Sequence, residues 1–246
     1  MISKQQLQSI IAKYHLGEIE QIKWEIEDNK LNINFVAPSN MVLGSVKCND
    51  FQMQDADLAI YNTKKLANLI SICSGELILD LERQMEIITK LKIADLNFNL
   101  EYALSDPLLI KQVGTAKPVD GWYVELDLGS EEISNILKAK SAMAEVEQFL
   151  VTTTKDLDNE NICEFIFGDE IGHNNKITYQ LKGVINKEHM KIKYNSNMLK
   201  TILQANKDME DGKFKISNAG LMYFHFTDGV IESEYYMVPT EDGIIS

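Results

Sequence analysis

The sequence is poor in arginine and cysteine and has no long apolar run, and each shortage excludes something. Arg83 is the one arginine among 24 basic residues, and the others are lysines. The three cysteines, Cys48, Cys73 and Cys163, are far apart and form no CxxC pair, which argues against a disulfide framework or a zinc site. No stretch approaches the roughly 18 apolar residues of a membrane span or contains a secretory signal core. We therefore expect a cytoplasmic protein without membrane attachment.

Motifs of the common enzyme classes are also missing. The sequence contains no GxGxxG, no GxxxxGK[ST] and no GxSxG, and its four histidines form no HxxxH or HExxH pair. Scattered catalytic residues would escape such a search, but nothing in the sequence favours them. We predict that the protein is not an enzyme and has no metal site and no cofactor.

Four short amphipathic helices are predicted from one recurring pattern. An apolar triplet spaced i, i+3, i+4 forms one stripe of a helix, and each copy follows a residue suited to an N-cap. The N-cap residues are Ser3, Asn62, Gly129 with Ser130, and Asn195. The triplets are Leu7/Ile10/Ile11, Leu66/Leu69/Ile70, Ile133/Ile136/Leu137 and Leu199/Ile202/Leu203.

Between these helices, apolar and polar residues alternate with the period of two that half-buried strands show. Two such runs flank Asp28-Asn29 as a hairpin, and another covers Leu96, Phe98, Leu100 and Tyr102. Residues 104–121 contain two of the four prolines and are typical of a connector. The pattern predicts an α+β fold with two similar domains, at 1–104 and 122–246, joined by a connector at 105–121.

The charges of the four predicted helices differ from those of the whole chain. The chain carries 37 acidic and 24 basic residues, a formal net charge of −13. Residues 3–15, 62–74, 130–143 and 195–207 nevertheless contain eight lysines and two glutamates, both in a first helical turn where carboxylates are favoured. We predict a basic surface that binds DNA phosphates without reading sequence, because lysine lacks the planar fork that reads bases. Its residues are Lys4, Lys13, Lys64, Lys65, Lys138, Lys140, Lys200 and Lys207.

Several segments resemble the sliding clamps, the DNA polymerase processivity factors that include proliferating cell nuclear antigen (PCNA) and the clamps of tailed phages. "DLAIYNTKKLANLISIC" is similar to the family's strand leading into a pore helix, and "LKIADLNFNL" to strands of phage clamps. "SDPLL" is similar to the connector, and "ESEYYMVPTED" to the C-terminal end of PCNA. The resemblance extends over the whole chain and implies two domains of the DNA-clamp fold, each with two helices packed on antiparallel sheets.

The resemblance also implies function. A two-domain chain would form a homotrimeric ring around duplex DNA, with the lysines above contacting phosphates, and would tether a DNA polymerase and other replication proteins. A separate clamp-loader ATPase would load it, in the host cytoplasm if the protein comes from a phage. Partner proteins would insert a short peptide into a pocket, whose predicted residues are Val36, Asn40, Leu108, Leu109, Ile110, Tyr236, Val238 and Pro239.

Two alternatives remain open from the sequence. One is a replication accessory protein with this fold that binds DNA through the basic surface without encircling it. The other is a scaffold that binds only proteins. A closed ring should stay on blocked DNA at moderate salt, whereas an open phosphate-binding surface should lose affinity steeply.

Overall fold

The computed structural model describes residues 1–114, 116–117, 119–168 and 175–244. The chain divides into two compact units, residues 1–116 with 229–233 and residues 117–228 with 234–246. Thr115 and Pro118 of the predicted connector lie outside the described residues, as do 169–174 and 245–246 of the predicted C-terminal domain. Within the described ranges, no helix is both long enough and apolar enough to cross a membrane.

Each unit contains two α-helices that contact each other. The predicted N-caps Ser3, Asn62 and Asn195 are confirmed, since each side chain accepts a hydrogen bond from a backbone N–H of the first turn. At the helix that begins at Ser130, the N–H of Gly129 donates to Glu132 Oε2 at 2.9 Å. The helices are α1 (Lys4–His15), α2 (Thr63–Ser71), α3 (Ser130–Ala142) and α4 (Ser196–Ala205).

The predicted apolar triplets form the inner faces of the helices. Ten of their twelve residues are buried, so the periodicity identified the packed face of every helix. Leu69 and Leu137 are only half-buried because they stand at the margin of that face. Exposed residues of the helices, among them Lys64, Lys65 and Lys138, lie outside this packed stripe.

The first unit contains two antiparallel sheets. One has the strand order β1-β6-β7-β8, and the other contains the neighbouring strands β4-β3-β2-β5. A short 3₁₀ helix, Pro107–Leu109, follows and contacts β5. The strands are β1 (Ile2–Ser3), β2 (Ile22–Glu27), β3 (Lys30–Val36), β4 (Val42–Cys48), β5 (Ala56–Ile60), β6 (Glu76–Gln84), β7 (Ile87–Ala94) and β8 (Asn99–Ala103).

The second unit repeats this plan. One antiparallel sheet has the order β12-β11-β10-β14, with α3 against β11 and β12 and α4 against β10 and β14. A second set of neighbours has the order β13-β9-β15-β16-β17, and the first three residues of β17 are among the residues 229–233 that belong to the first unit. The strands are β9 (Trp122–Asp127), β10 (Gln148–Lys155), β11 (Asn161–Gly168), β12 (Lys176–Lys182), β13 (Val184–Ile185), β14 (Lys191–Asn195), β15 (Asp211–Ser217), β16 (Met222–Thr227) and β17 (Ile231–Met237).

The strand predicted to include Leu96 and Phe98 is shorter than expected. It starts at Asn99, and Leu96 is fully exposed. The carboxylate of Asp95 accepts hydrogen bonds from the N–H groups of Asn97 and Phe98, which bends the backbone into a turn. The two-residue period continued through this turn by coincidence. The Asp28-Asn29 hairpin is confirmed, with φ of 51° and 58° at its two turn residues.

Candidate nucleic-acid interface and partner-binding residues

Lys64 and Lys65 are exposed in the first turn of α2. Leu66 and Ile70 are fully buried on the other side of the helix, so packing orients both lysines outward. The N–H of Lys64 donates to Glu20 Oε2 at 3.0 Å, which helps to cap the helix. A helix N-terminus carries partial positive charge and disfavours cations. Helix stability therefore does not account for two lysines at this position.

Lys4 and Lys13 of α1 are held by protein atoms. The ammonium group of Lys4 donates to the carbonyls of Ser71 and Cys73 at 2.7 and 2.6 Å, at the C-terminal end of α2, where a cation is favourable. Lys13 is 1% exposed, and its Nζ donates to Ser9 Oγ at 3.0 Å. The prediction that Lys13 contacts DNA disagrees with this burial. The ammonium group of Lys4 bonds the carbonyls at the C-terminal end of α2.

Lys140 is the second buried lysine, at 2% exposure. Its ammonium group donates to the carbonyls of Ala144 and Val146, each at 2.8 Å, and to that of Met143 at 3.4 Å. Burial, followed by repulsion from Lys200, lowers the pKa of Lys140. The prediction that it contacts phosphates disagrees with this geometry, because α3 ends at Ala142 and the ammonium group satisfies the carbonyls that follow.

The other three lysines predicted to contact DNA in the second unit are accessible to solvent. Lys138 and Lys207 are exposed, and Lys200 is half-buried. Lys138 and Lys207 border an open groove of about 390 Å³ along α3. The groove is lined by Ser130, Ile133, Ser134, Leu137, Lys138, Ser141 and Lys207. The lining residues carry two ammonium groups and three hydroxyl groups and no carboxylate.

In the first unit, four predicted partner-binding residues are exposed and one is buried. Leu108 and Leu109 are 89% and 74% exposed on the 3₁₀ helix, whose first turn is fixed by a hydrogen bond from the N–H of Leu108 to the Asp106 carboxylate at 2.9 Å. Ile110 is only 8% exposed and is an anchor for this segment rather than a contact for a ligand. The other exposed residues are Val36 and Asn40, the latter with φ of 57°.

In the second unit, Tyr236, Val238 and Pro239 follow one another near the chain end. Val238 is 43% exposed, while Tyr236 and Pro239 are half-buried. The ring centroid of Tyr236 lies 4.9 Å from that of Tyr223. Burial and the nearby carboxylate of Glu234 raise the pKa of Tyr236.

Comparison with known proteins identifies the fold. No protein-family model and no curated protein sequence matches the chain. A solved structure described as the C-terminal region of FEN-1 bound to A. fulgidus PCNA matches with a TM-score of 0.77 and 12% identity, over 98% of this chain and 97% of that chain. PCNA from Entamoeba histolytica matches with a TM-score of 0.74 and 14% identity, over 97% and 96% of the two chains. The chain has the DNA sliding-clamp fold.

Two features of this sliding-clamp fold were missed by sequence reasoning. Ser134 and Ser141 line the groove together with Lys138. The two serines are seven residues apart with Lys138 between them, a helical spacing that could have indicated that the three side chains share one face. Trp122 lies beside Tyr223, with ring centroids 5.7 Å apart, and extends the aromatic surface that Tyr236 begins. Among the described residues, no three His, Cys, Asp or Glu side chains are placed to bind a metal ion together.

Proposed function

We propose that this chain is a homotrimeric sliding clamp that encircles duplex DNA and acts as a DNA polymerase processivity factor. The agreement with a PCNA fold over 98% of the chain, at a TM-score of 0.77, carries the proposal. A closed ring of three copies holds DNA by topology, so an attached polymerase stays on its template without tight DNA binding. The similarity of "LKIADLNFNL" to strands of phage clamps favours a role in viral DNA replication.

Five lysines are the proposed contacts with DNA phosphates. Their ammonium groups are accessible, unlike those of the two buried lysines, and α2 gains no local stability from its pair. Lysine is a mobile point charge that binds phosphate oxygens without reading base edges, so the DNA would slide. The five residues are Lys64, Lys65, Lys138, Lys200 and Lys207.

Partner proteins are proposed to bind through a short peptide with apolar and aromatic side chains. The similar structure of A. fulgidus PCNA with the C-terminal region of FEN-1 supports this mode of binding. In this chain the exposed apolar residues Val36, Leu108, Leu109, Val238 and Pro239 are the proposed contacts. The polymerase is one such partner. Because the sequence contains no phosphate-binding loop, a separate ATPase is proposed to load the clamp, which itself would not be catalytic.

The proposal is tested first by size and topology. Native mass spectrometry should give three times the chain mass of 28.0 kDa. Clamps loaded onto circular DNA should remain there at moderate salt and leave when the circle is cut. A stable monomer at micromolar concentration, with no ring in electron micrographs even with DNA and loader present, would refute the proposal.

Charge reversal then tests the DNA surface. The double variant Lys64→Glu/Lys65→Glu should reduce polymerase stimulation and lower the slope of log affinity against log salt by about one for each lost phosphate contact. Lys30→Glu/Lys47→Glu is the matched control, because it changes the charge equally at two exposed residues of β3 and β4. Equal losses of polymerase stimulation in the two double variants would mean that net charge, and not the surface of α2, governs DNA binding.

The same assays separate the alternatives. A non-encircling accessory protein would leave circular and linear DNA equally and would lose affinity steeply with salt. A scaffold that binds only proteins would stimulate the polymerase normally when Lys64 and Lys65 are both reversed. The trimeric clamp is the proposal that requires retention on circular DNA together with sensitivity to these two lysines.

A further inference from the structure

The last described residues of the chain bind to the edge of a strand in the second unit. Strand β14 is the last in its sheet and pairs with β10 on one side. On the other side of β14, the N–H of Lys193 donates to the carbonyl of Gly243 at 2.8 Å. The carbonyl of Lys193 accepts from the N–H of Thr240 at 3.0 Å. The N–H of Gly243 donates to the carbonyl of Thr240 at 2.7 Å, which closes a turn. Residues 240–244 are called the C-terminal strap below.

Glycine at position 243 is required by the close approach of two backbones. A Cβ atom there would lie 2.7 Å from the carbonyl oxygen of Lys193 and 2.7 Å from that of Thr240. Both atoms belong to the backbone and cannot rotate away, so a larger residue would have to displace the strap from β14. Beyond the glycine, Ile244 forms an isolated bridge with Ile192, which continues the pairing by one residue.

The strap begins directly after two of the proposed partner-binding residues. Val238 and Pro239 lie between Met237, which is 0% exposed at the end of β17, and the strap on β14. The pair is therefore anchored on both sides, while Val238 remains 43% exposed. A segment fixed in its binding conformation loses less entropy when a ligand binds than a free chain end does.

We propose that the C-terminal strap holds Val238 and Pro239 ready for a partner peptide, with Gly243 as the positioning residue. This inference rests on the proposed function. The strap contacts β14, and its role is to keep the exposed pair in place. Release of the strap should therefore weaken peptide binding even though every side chain that touches the peptide is retained.

Two variants test the inference in the full chain. Gly243→Val should displace the strap, and removal of residues 240–246 should delete it without adding bulk. Asp242→Ala is the matched control, because it changes an exposed residue of the same turn whose backbone hydrogen bonds remain possible. Hydrogen exchange of the Lys193 amide reports strap release, and calorimetry with the FEN-1 C-terminal peptide reports binding.

Both test variants should accelerate hydrogen exchange of the Lys193 amide at least tenfold and reduce the affinity for the peptide about tenfold. Asp242→Ala should keep an exchange rate and a peptide affinity near those of the wild type. Unchanged exchange in Gly243→Val would overturn the role of the glycine. Faster exchange with unchanged affinity in the truncated chain would overturn the positioning role. If the wild type binds no peptide, the partner-binding part of the proposed function and the positioning role both fail, but the exchange result still reports whether the strap is closed.

Discussion

Replacement of Lys140 by methionine should destabilise the protein without weakening its hold on DNA. Methionine keeps the aliphatic stem but removes the ammonium group that donates to three carbonyls. The carbonyl of Val146 still accepts from the hydroxyl group of Ser196, and that of Met143 from the N–H of Val146, so the carbonyl of Ala144 is the one that loses its donor. Ala144 is exposed, so water can replace part of the lost hydrogen bond, and relief from burying a charge offsets a further part of the cost. We expect a loss of about 1 kcal/mol in the free energy of unfolding, the usual net contribution of one hydrogen bond.

Lys138→Met is the matched variant, two residues earlier in the same helix. Lys138 is exposed, so its replacement should change the free energy of unfolding by no more than about 0.5 kcal/mol. It should, however, lower the salt slope of DNA binding by about one. Urea denaturation measures the first quantity and DNA titration at several salt concentrations the second. Unfolding of Lys140→Met at the same urea concentration as the wild type, with DNA binding weakened as much as in Lys138→Met, would contradict the assigned roles of the two lysines.

Two further predictions concern stability in the first unit. The Tyr102 hydroxyl group bonds both the N–H and the carbonyl of the α2 N-cap residue, and burial raises its pKa to about 12. Tyr102→Phe should lower the free energy of unfolding by about 1–3 kcal/mol at neutral pH, measured by urea denaturation. The difference between the two proteins should shrink above pH 10, where the tyrosine of the unfolded chain ionises. An unchanged urea midpoint would contradict this prediction. Hydrogen bonds from Lys92 and Lys90 lower the pKa of Glu82. In thermal unfolding, the wild type should be more stable than Glu82→Gln above pH 4.5, and this difference should be lost as the pH falls through the lowered pKa of Glu82. A stability difference that does not change with pH would exclude the ion pairs as its cause.

The elements of the fold were largely predictable from the sequence because their signals are local. An N-cap such as Asn62 bonds a residue three positions away, and a triplet such as Leu199/Ile202/Leu203 lies on one face of any helix that contains it. The Asp28-Asn29 turn likewise depends on its own two residues. Where a side chain redirected the backbone, as Asp95 does, alternation alone gave a strand that began too early.

The candidate site was predictable in kind but not residue by residue. Composition alone indicated lysine-rich helices in an acidic chain, and this needed no coordinates. Lys138 and Lys140 are equivalent in the sequence, yet one is exposed and the other is buried against three carbonyls. Leu108 and Ile110 differ in the same way. Such differences depend on which distant backbone atoms approach a side chain after folding, and the tertiary structure alone brings those atoms together.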